Sequence, residues 1–164
     1  MIKKELLKLL IFTVCVFILF NYIIKIGVVP TGSMEPTIKI GDITVNNCLA
    51  YVWNKPKRGD IIIFTGENQE YLCKRIIGLP GDVISFVDGY VVVNGSFLEE
   101  DYLNTDVESN NNDTFYVPEG HYFVMGDNRE NSLDSRYFYE PYISEECICA
   151  KLIFVLKTSF FKVD

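Results

Sequence analysis

The stretch VISFVDGYVVVNG, residues 83–95, decides the fold class. Two β-prone runs, Val83–Val87 and Tyr90–Val93, flank Asp88-Gly89. That dipeptide is a strong hairpin signal, because both central residues of the favoured two-residue turn need φ > 0. Asn94-Gly95 follows at once and predicts a second turn. Outward from this hairpin, residues 60–64, 122–125 and 148–156 are further short β-prone runs, and no 3.6-residue periodicity follows residue 40. The sequence predicts a mainly β protein: an antiparallel β core with a small second β lobe inserted over residues 83–122. Between residues 98 and 114 the chain turns acidic and Asn-rich, which reads as an exposed loop or small excursion rather than core.

The N-terminal end is different. Residues 6–29 are mostly apolar, broken by Lys8, Asn21 and Lys25. A membrane helix needs about 20 largely apolar residues, and lysines near its ends can snorkel. One N-terminal transmembrane helix is therefore expected over roughly residues 6–26. Residues 21–29 offer only Gly27 as a small residue, which argues for an uncleaved anchor over a signal peptide. Lys3, Lys4 and Lys8 hold the N-terminus in the cytoplasm by the positive-inside rule. The expected organisation is a cytoplasmic N-terminus and anchor over 1–29 and an extracytoplasmic β-rich domain over 30–164, single-pass in the cell membrane.

Composition narrows the function classes. With 49% hydrophobic residues the chain is not a disordered protein. Residues 1–29 carry a net +3 and the remainder a net −10, within a total of −7. An acidic body lacks the basic face that nucleic acid requires, so no nucleic-acid partner is expected. Cys147 and Cys149 have the wrong spacing for a zinc knuckle and no second pair accompanies them. Buried free thiols and a Cys48–Cys73 bridge both remain open readings.

A candidate nucleophile lies just past the apolar segment. In TGSMEPT, residues 31–37, Ser33 follows a glycine. A serine hydroxyl does chemistry only when a base takes its proton. The one histidine, His121, lies in a turn before a strand, where such a residue is usually just exposed. A lysine can serve instead, but a free one titrates near 10.4, and keeping it neutral near pH 7 requires about 4.6 kcal/mol against the charged form. Burial among apolar groups supplies shifts of that size. On a strand, Lys74 shares its face with Leu72 and Ile76, while Lys39, Lys55 and Lys57 lie in wet or basic surroundings. Taken alone, Lys74 also reads as a strand lysine snorkelling to solvent. Residues 126–138, GDNRENSLDSRYF, combine two Arg, two Asp, two Asn, two Ser and one Glu. That density fits either a polar loop or a packed Asp–Arg network that shapes a site, with Ser132 placed to orient a lysine amine.

Together these residues resemble the bacterial type I signal peptidases, membrane-anchored Ser–Lys endopeptidases that remove signal peptides from secreted preproteins. The motifs that carry the resemblance are Ser33-Met-Glu-Pro-Thr37, Arg58-Gly-Asp-Ile-Ile-Ile-Phe64, Lys74-Arg-Ile-Ile-Gly-Leu-Pro-Gly-Asp82 and Gly126-Asp-Asn-Arg-Glu-Asn-Ser-Leu-Asp-Ser-Arg136. They occur in the family's order behind an apolar N-terminus. The short region between Gly81 and Tyr122 is similar to the compact Gram-positive form. The resemblance implies a serine endopeptidase acting through an acyl-enzyme, with no cofactor and no metal. It implies Ser33 as nucleophile, Lys74 as general base, and the Ser33 amide with the Thr31 hydroxyl as oxyanion hole. Ser132 would orient the lysine amine, and Asp127, Arg129, Asp134 and Arg136 would form the scaffold, with an Asp134–Arg136 salt bridge. Arg75 is expected to face away from the site.

A substrate pocket is expected at Met34, Ile38, Leu72 and Cys73, with Met34 also touching the membrane surface. The implied partners are preprotein signal peptides of the Ala-X-Ala type and the lipid bilayer, for a protein that is monomeric in the membrane. Two positions depart from the family pattern: Leu72 where a tyrosine is common, and Tyr139 where a glycine is usual. Two rival functions share these features, a self-cleaving Ser–Lys regulatory peptidase and a catalytically inactive surface-anchored β-domain.

Overall fold

The computed structural model describes residues 2–103 and 111–158. Helix α1 (Ile2–Ile18) runs into a single π-helical turn, Leu19–Ile23, and then into strand β1 (Ile24–Val28). The chain continues through β2 (Ile43–Asn47), β3 (Ile61–Thr65), β4 (Tyr71–Gly78), β5 (Val83–Val87), β6 (Tyr90–Val93) and β7 (Ser96–Phe97). After it come β8 (Phe115–Tyr116), β9 (His121–Met125), β10 (Ile143–Ser144) and β11 (Ile148–Leu156). The main sheet has the order β1-β2-β11-β3-β4-β9-β10, and a second sheet has the order β7-β6-β5-β8. Every paired strand is antiparallel.

Local sequence explains the second sheet. Asp88 (φ 50°) and Gly89 (φ 83°) both take left-handed backbone, and so do Asn94 (φ 52°) and Gly95 (φ 81°). Each pair thus supplies the φ > 0 that a tight hairpin needs. The first turn sets the register Val87↔Tyr90 to Ile84↔Val93, and the second turns β6 into β7.

The expected transmembrane helix over residues 6–26 is corrected. No helix among the described residues is long and apolar enough to cross a membrane. α1 has 17 residues, about 25 Å at ~1.5 Å per residue, against about 30 Å of bilayer hydrocarbon. The physical reason lies in Ile23, Ile24, Ile26 and Val28, whose branched Cβ atoms favour extended backbone. β2 offers that segment a partner, with register Ile24↔Asn47 to Val28↔Ile43.

The core has three apolar clusters. Ile77, Ile84, Val91, Val93, Val117, Phe123 and Met125 fill the space between the sheets. Ile62, Phe64, Ile76, Tyr122, Val124 and Ile143 pack the opposite face of β3, β4 and β9. Met34, Ile38 and Ile61 form a third cluster, against which Cys73 and Leu152 pack. β4 and β9 are therefore buried on both faces, which is why their sequences lose the apolar–polar alternation of a half-exposed strand. All five cysteines are free; Cys15 is exposed and the other four are partly buried.

Candidate active site

A cleft of about 800 Å³ lies between β1 and β4. Its lining includes Thr31, Ser33 and Lys74, together with Met34, Ile38, Leu72 and Cys73. Two elements bring the chemistry together: Ser33 sits on the turn after β1, and Lys74 sits at the middle of β4.

Lys74 is 3% exposed. Ile62 stands directly across from it on β3, and Phe64 across from Leu72. Among the described residues no carboxylate pairs with its amine and no hydrogen bond joins it to Ser33 Oγ. Burial holds its pKa below the ordinary 10.5; Asp134 pulls in the other direction, and the Arg136 charge pushes further down. The Cys73 thiol beside it is pushed up to about 12, chiefly by burial, so it stays protonated and is no rival nucleophile at neutral pH.

The loop after β9 frames these groups. Gly126 occupies a point where an added Cβ would overlap both Ser132 Oγ and the Ser33 carbonyl oxygen. Only glycine lets the two come that close. Asn128 holds the Ser33 turn at two points, its N–H donating to Ser33 O (3.1 Å) and its Nδ2 to Gly32 O (3.0 Å). Ser132 Oγ is buried and has no hydrogen-bond partner among the described residues. The Ser33 amide and the Thr31 hydroxyl likewise have no acceptor among the described residues, and Thr31 is exposed at the cleft.

The scaffold residues are ion-paired. Asp134 accepts from Arg136 Nε (2.8 Å) and Nη2 (2.9 Å), both side chains being fully buried. Asp134 also accepts from the Gly126 N–H (2.9 Å). Asp127 accepts from Arg75 Nε (2.8 Å) and Nη2 (2.6 Å) and from Thr37 Oγ1 (2.5 Å). Arg129 donates through Nε to Gly126 O (3.0 Å). Arg75 thus reaches the site's own loop through Asp127, although its side chain leaves β4 on the face opposite Lys74.

Several residues lie elsewhere than expected. Met34 is 1% exposed, so it does not present itself to a membrane surface. The Ile38 N–H to Met34 O bond closes a turn that folds Met34 inward onto Ile38 and Ile61. Tyr139 is 89% exposed, away from the cleft, whereas Leu72 and the exposed Tyr71 both line it. His121 donates through Nδ1 to Glu119 O (2.9 Å) and is not part of the cleft lining.

Sequence reasoning missed Asn128, Thr37, Glu100 and Tyr102. Glu100 grips Arg129 at 2.9 and 2.5 Å, and the Tyr102 ring lies 3.8 Å from the Arg75 guanidinium carbon. These two sit in the acidic stretch expected to be an exposed loop or small excursion outside the core. The available signal was Leu98, Tyr102 and Leu103, apolar residues out of place in a solvated loop. Residues 104–110 of that stretch lie outside the described residues.

The comparisons agree with one another. The family described as "Signal peptidase, peptidase S26" matches residues 3–157. Signal peptidase IB of Staphylococcus aureus is 33% identical over 93% of this chain and 90% of its own length. Signal peptidase I of Pseudomonas fluorescens is 31% identical over 81% of this chain, which spans 62% of that longer protein. Among solved structures, signal peptidase I from Enterococcus faecalis V583 superimposes with a TM-score of 0.53 at 33% identity, covering 61% of this chain and 98% of that one.

Proposed function

The chain belongs to the signal peptidases of peptidase family S26, and from that premise we propose that it is a signal peptidase I with Ser33 as nucleophile and Lys74 as general base. The observation that carries this reading is Lys74 itself: a buried lysine without an ion-pair partner among the described residues, lining the same cleft as a serine that follows a glycine. A neutral amine accepts the Ser33 proton as Oγ attacks the carbonyl after the signal peptide's last residue. The developing oxyanion is held by the Ser33 amide and Thr31 Oγ1, two donors without acceptors among the described residues. The protonated amine then donates to the leaving nitrogen, and water hydrolyses the ester. The unpartnered Ser132 hydroxyl orients the amine as it gains and loses its proton. Closing the Ser33–Lys74 hydrogen bond falls to the substrate complex, where catalytic bonds tighten.

The substrate adds as an extended strand at the cleft. Support comes from β4, whose first residues pair with β3 on one side only, since β9 pairs from Arg75 onward. Met34, Ile38, Leu72 and Cys73 line an apolar cleft suited to small residues at −1 and −3, of the Ala-X-Ala type. The monomer attaches to the bilayer through α1 and the turn after it. Support comes from Leu6, Leu9, Leu10, Phe12 and Phe17, each more than half exposed on α1.

The test is cleavage of a labelled Ala-X-Ala preprotein by detergent-solubilised protein beside Ser33→Ala. The expected result is a cut after the signal peptide by wild type and none by the variant. Equal products from both would remove Ser33 from the chemistry. No cut by either would leave an inactive β-domain, and a cut within the chain itself would favour the self-cleaving regulatory reading.

A further inference from the structure

The segment at residues 98–103 leaves the second sheet and crosses to the back of the loop that frames Ser33. It is pinned at its start, where Leu98 donates to Val91 O (2.9 Å) and packs on the core between the sheets. It is turned at its end, where Leu103 donates to Glu100 O (2.9 Å). Between these points it takes hold of two buried arginines. The Glu100 carboxylate accepts from Arg129 Nη1 (2.9 Å) and Nη2 (2.5 Å), with the Arg129 side chain 1% exposed. Tyr102 donates its hydroxyl to the same carboxylate and lays its ring against the Arg75 guanidinium, 3.8 Å from centroid to carbon. Burial, and then the Glu100 carboxylate, push the Tyr102 hydroxyl well above its ordinary range, so it remains a donor.

Both arginines act on the site's loop. Arg129 donates to Gly126 O, and its own carbonyl accepts from Arg136 Nη2 (2.8 Å). Arg75 forks onto Asp127, which also accepts from Thr37, four residues past the nucleophile. Gly126 is where Ser132 and the Ser33 carbonyl meet, and Asn128 donates to that carbonyl. A continuous chain of bonded groups therefore runs from Glu100 and Tyr102 to both sides of the cleft. Neither residue lines the cleft itself.

We infer that Glu100 and Tyr102 are positioning residues for the reaction: they form a strap that clamps Arg129 and Arg75 from behind and so fixes the separation of Ser33 from Ser132 and Lys74. The inference rests on the peptidase reading. Because the strap does not line the cleft, loosening it lowers turnover rather than binding. A shift of about 1 Å in such a frame costs on the order of 100-fold in rate.

The test is steady-state cleavage of an Ala-X-Ala preprotein by the full chain, as wild type and as Glu100→Gln, Tyr102→Phe and Tyr102→Leu. Each is assayed at a temperature where circular dichroism shows it folded. Glu100→Gln is expected to lose about 10–100-fold in kcat with KM changed less than about 2-fold. Tyr102→Phe keeps the ring on Arg75 and is expected within about 3-fold of wild type, while Tyr102→Leu loses about 10-fold. Folded Glu100→Gln and Tyr102→Leu at wild-type kcat, or losses confined to KM, would overturn the strap. Should Glu100→Gln fail to fold, the contrast between Phe and Leu at position 102 decides. A wild type that cuts nothing defeats the peptidase reading, whereas an active wild type with indifferent variants defeats the strap alone.

Discussion

Lys74 and Arg136 are both buried basic side chains of one site, and the protein treats them in opposite ways. Arg136 has a fully buried side chain and a fully buried carboxylate, Asp134, forked onto it. Lys74 is 3% exposed with no carboxylate bonded to its amine among the described residues. A paired buried charge keeps its charge and gives a fixed geometry. An unpaired one escapes its desolvation cost by giving up its proton. The same burial thus goes with a fixed charge in one place and a disfavoured charge in the other. The two are coupled, since the Arg136 charge helps to hold Lys74 below its ordinary pKa and Arg136 Nη1 has no partner among the described residues.

The contrast breaks most sharply at the dyad. Ser33→Ala and Lys74→Ala are each expected to lose at least about 10⁴-fold in preprotein cleavage while circular dichroism stays native. Lys74→Arg is expected to fail equally, because a guanidinium does not give up its proton. A Lys74→Arg variant cleaving at wild-type rate would erase the distinction between the two kinds of cation.

On the framing side the loss is in stability. Asp127→Ala leaves the Arg75 charge buried and unpaired, which is expected to cost about 3–5 kcal/mol in denaturant unfolding. Removing both partners in Arg75→Met/Asp127→Leu is expected to cost much less, and equal losses from the single and double variants would contradict the pairing account. At the proposed oxyanion hole, Thr31→Ala is expected to lower kcat about 10²–10³-fold, with Thr31→Ser keeping most of the activity. Full activity in Thr31→Ala would take that hydroxyl out of the hole.

The smallest effect has the most informative sign. A lysine whose folded pKa is lowered binds fewer protons folded than unfolded between that pKa and 10.5. Its burial therefore costs stability fully below the folded pKa, and the cost fades as pH rises toward 10.5. Lys74→Met is expected to raise the melting temperature at neutral pH, by a margin that shrinks toward pH 10. A margin that grows with pH would mean the amine is charged in the folded protein.

The sequence and the structure agree where local chemistry decides. Asp88-Gly89 and Asn94-Gly95 announce their turns by backbone preference alone, and the β-prone runs around them are strands β5 and β6. The apolar face of Lys74 is legible from alternation, because Leu72 and Ile76 flank it at a strand's period. Long-range pairing is what a single sequence hides. Glu100 lies 29 residues from Arg129, and Arg75 lies 52 from Asp127, so neither choice of partner is written in a local pattern. The end of the apolar N-terminus is likewise decided by pairing rather than by hydropathy. Hydropathy sees residues 24–28 as more helix, whereas β2, 15 to 23 residues further on, claims them as a strand.

The most direct test is a titration of the Lys74 side chain by NMR in selectively labelled, cleavage-silent Ser33→Ala protein. A midpoint clearly below the ordinary lysine value of 10.5 is the predicted result. A midpoint at or above it would show the amine charged throughout the working range and contradict its role as the base.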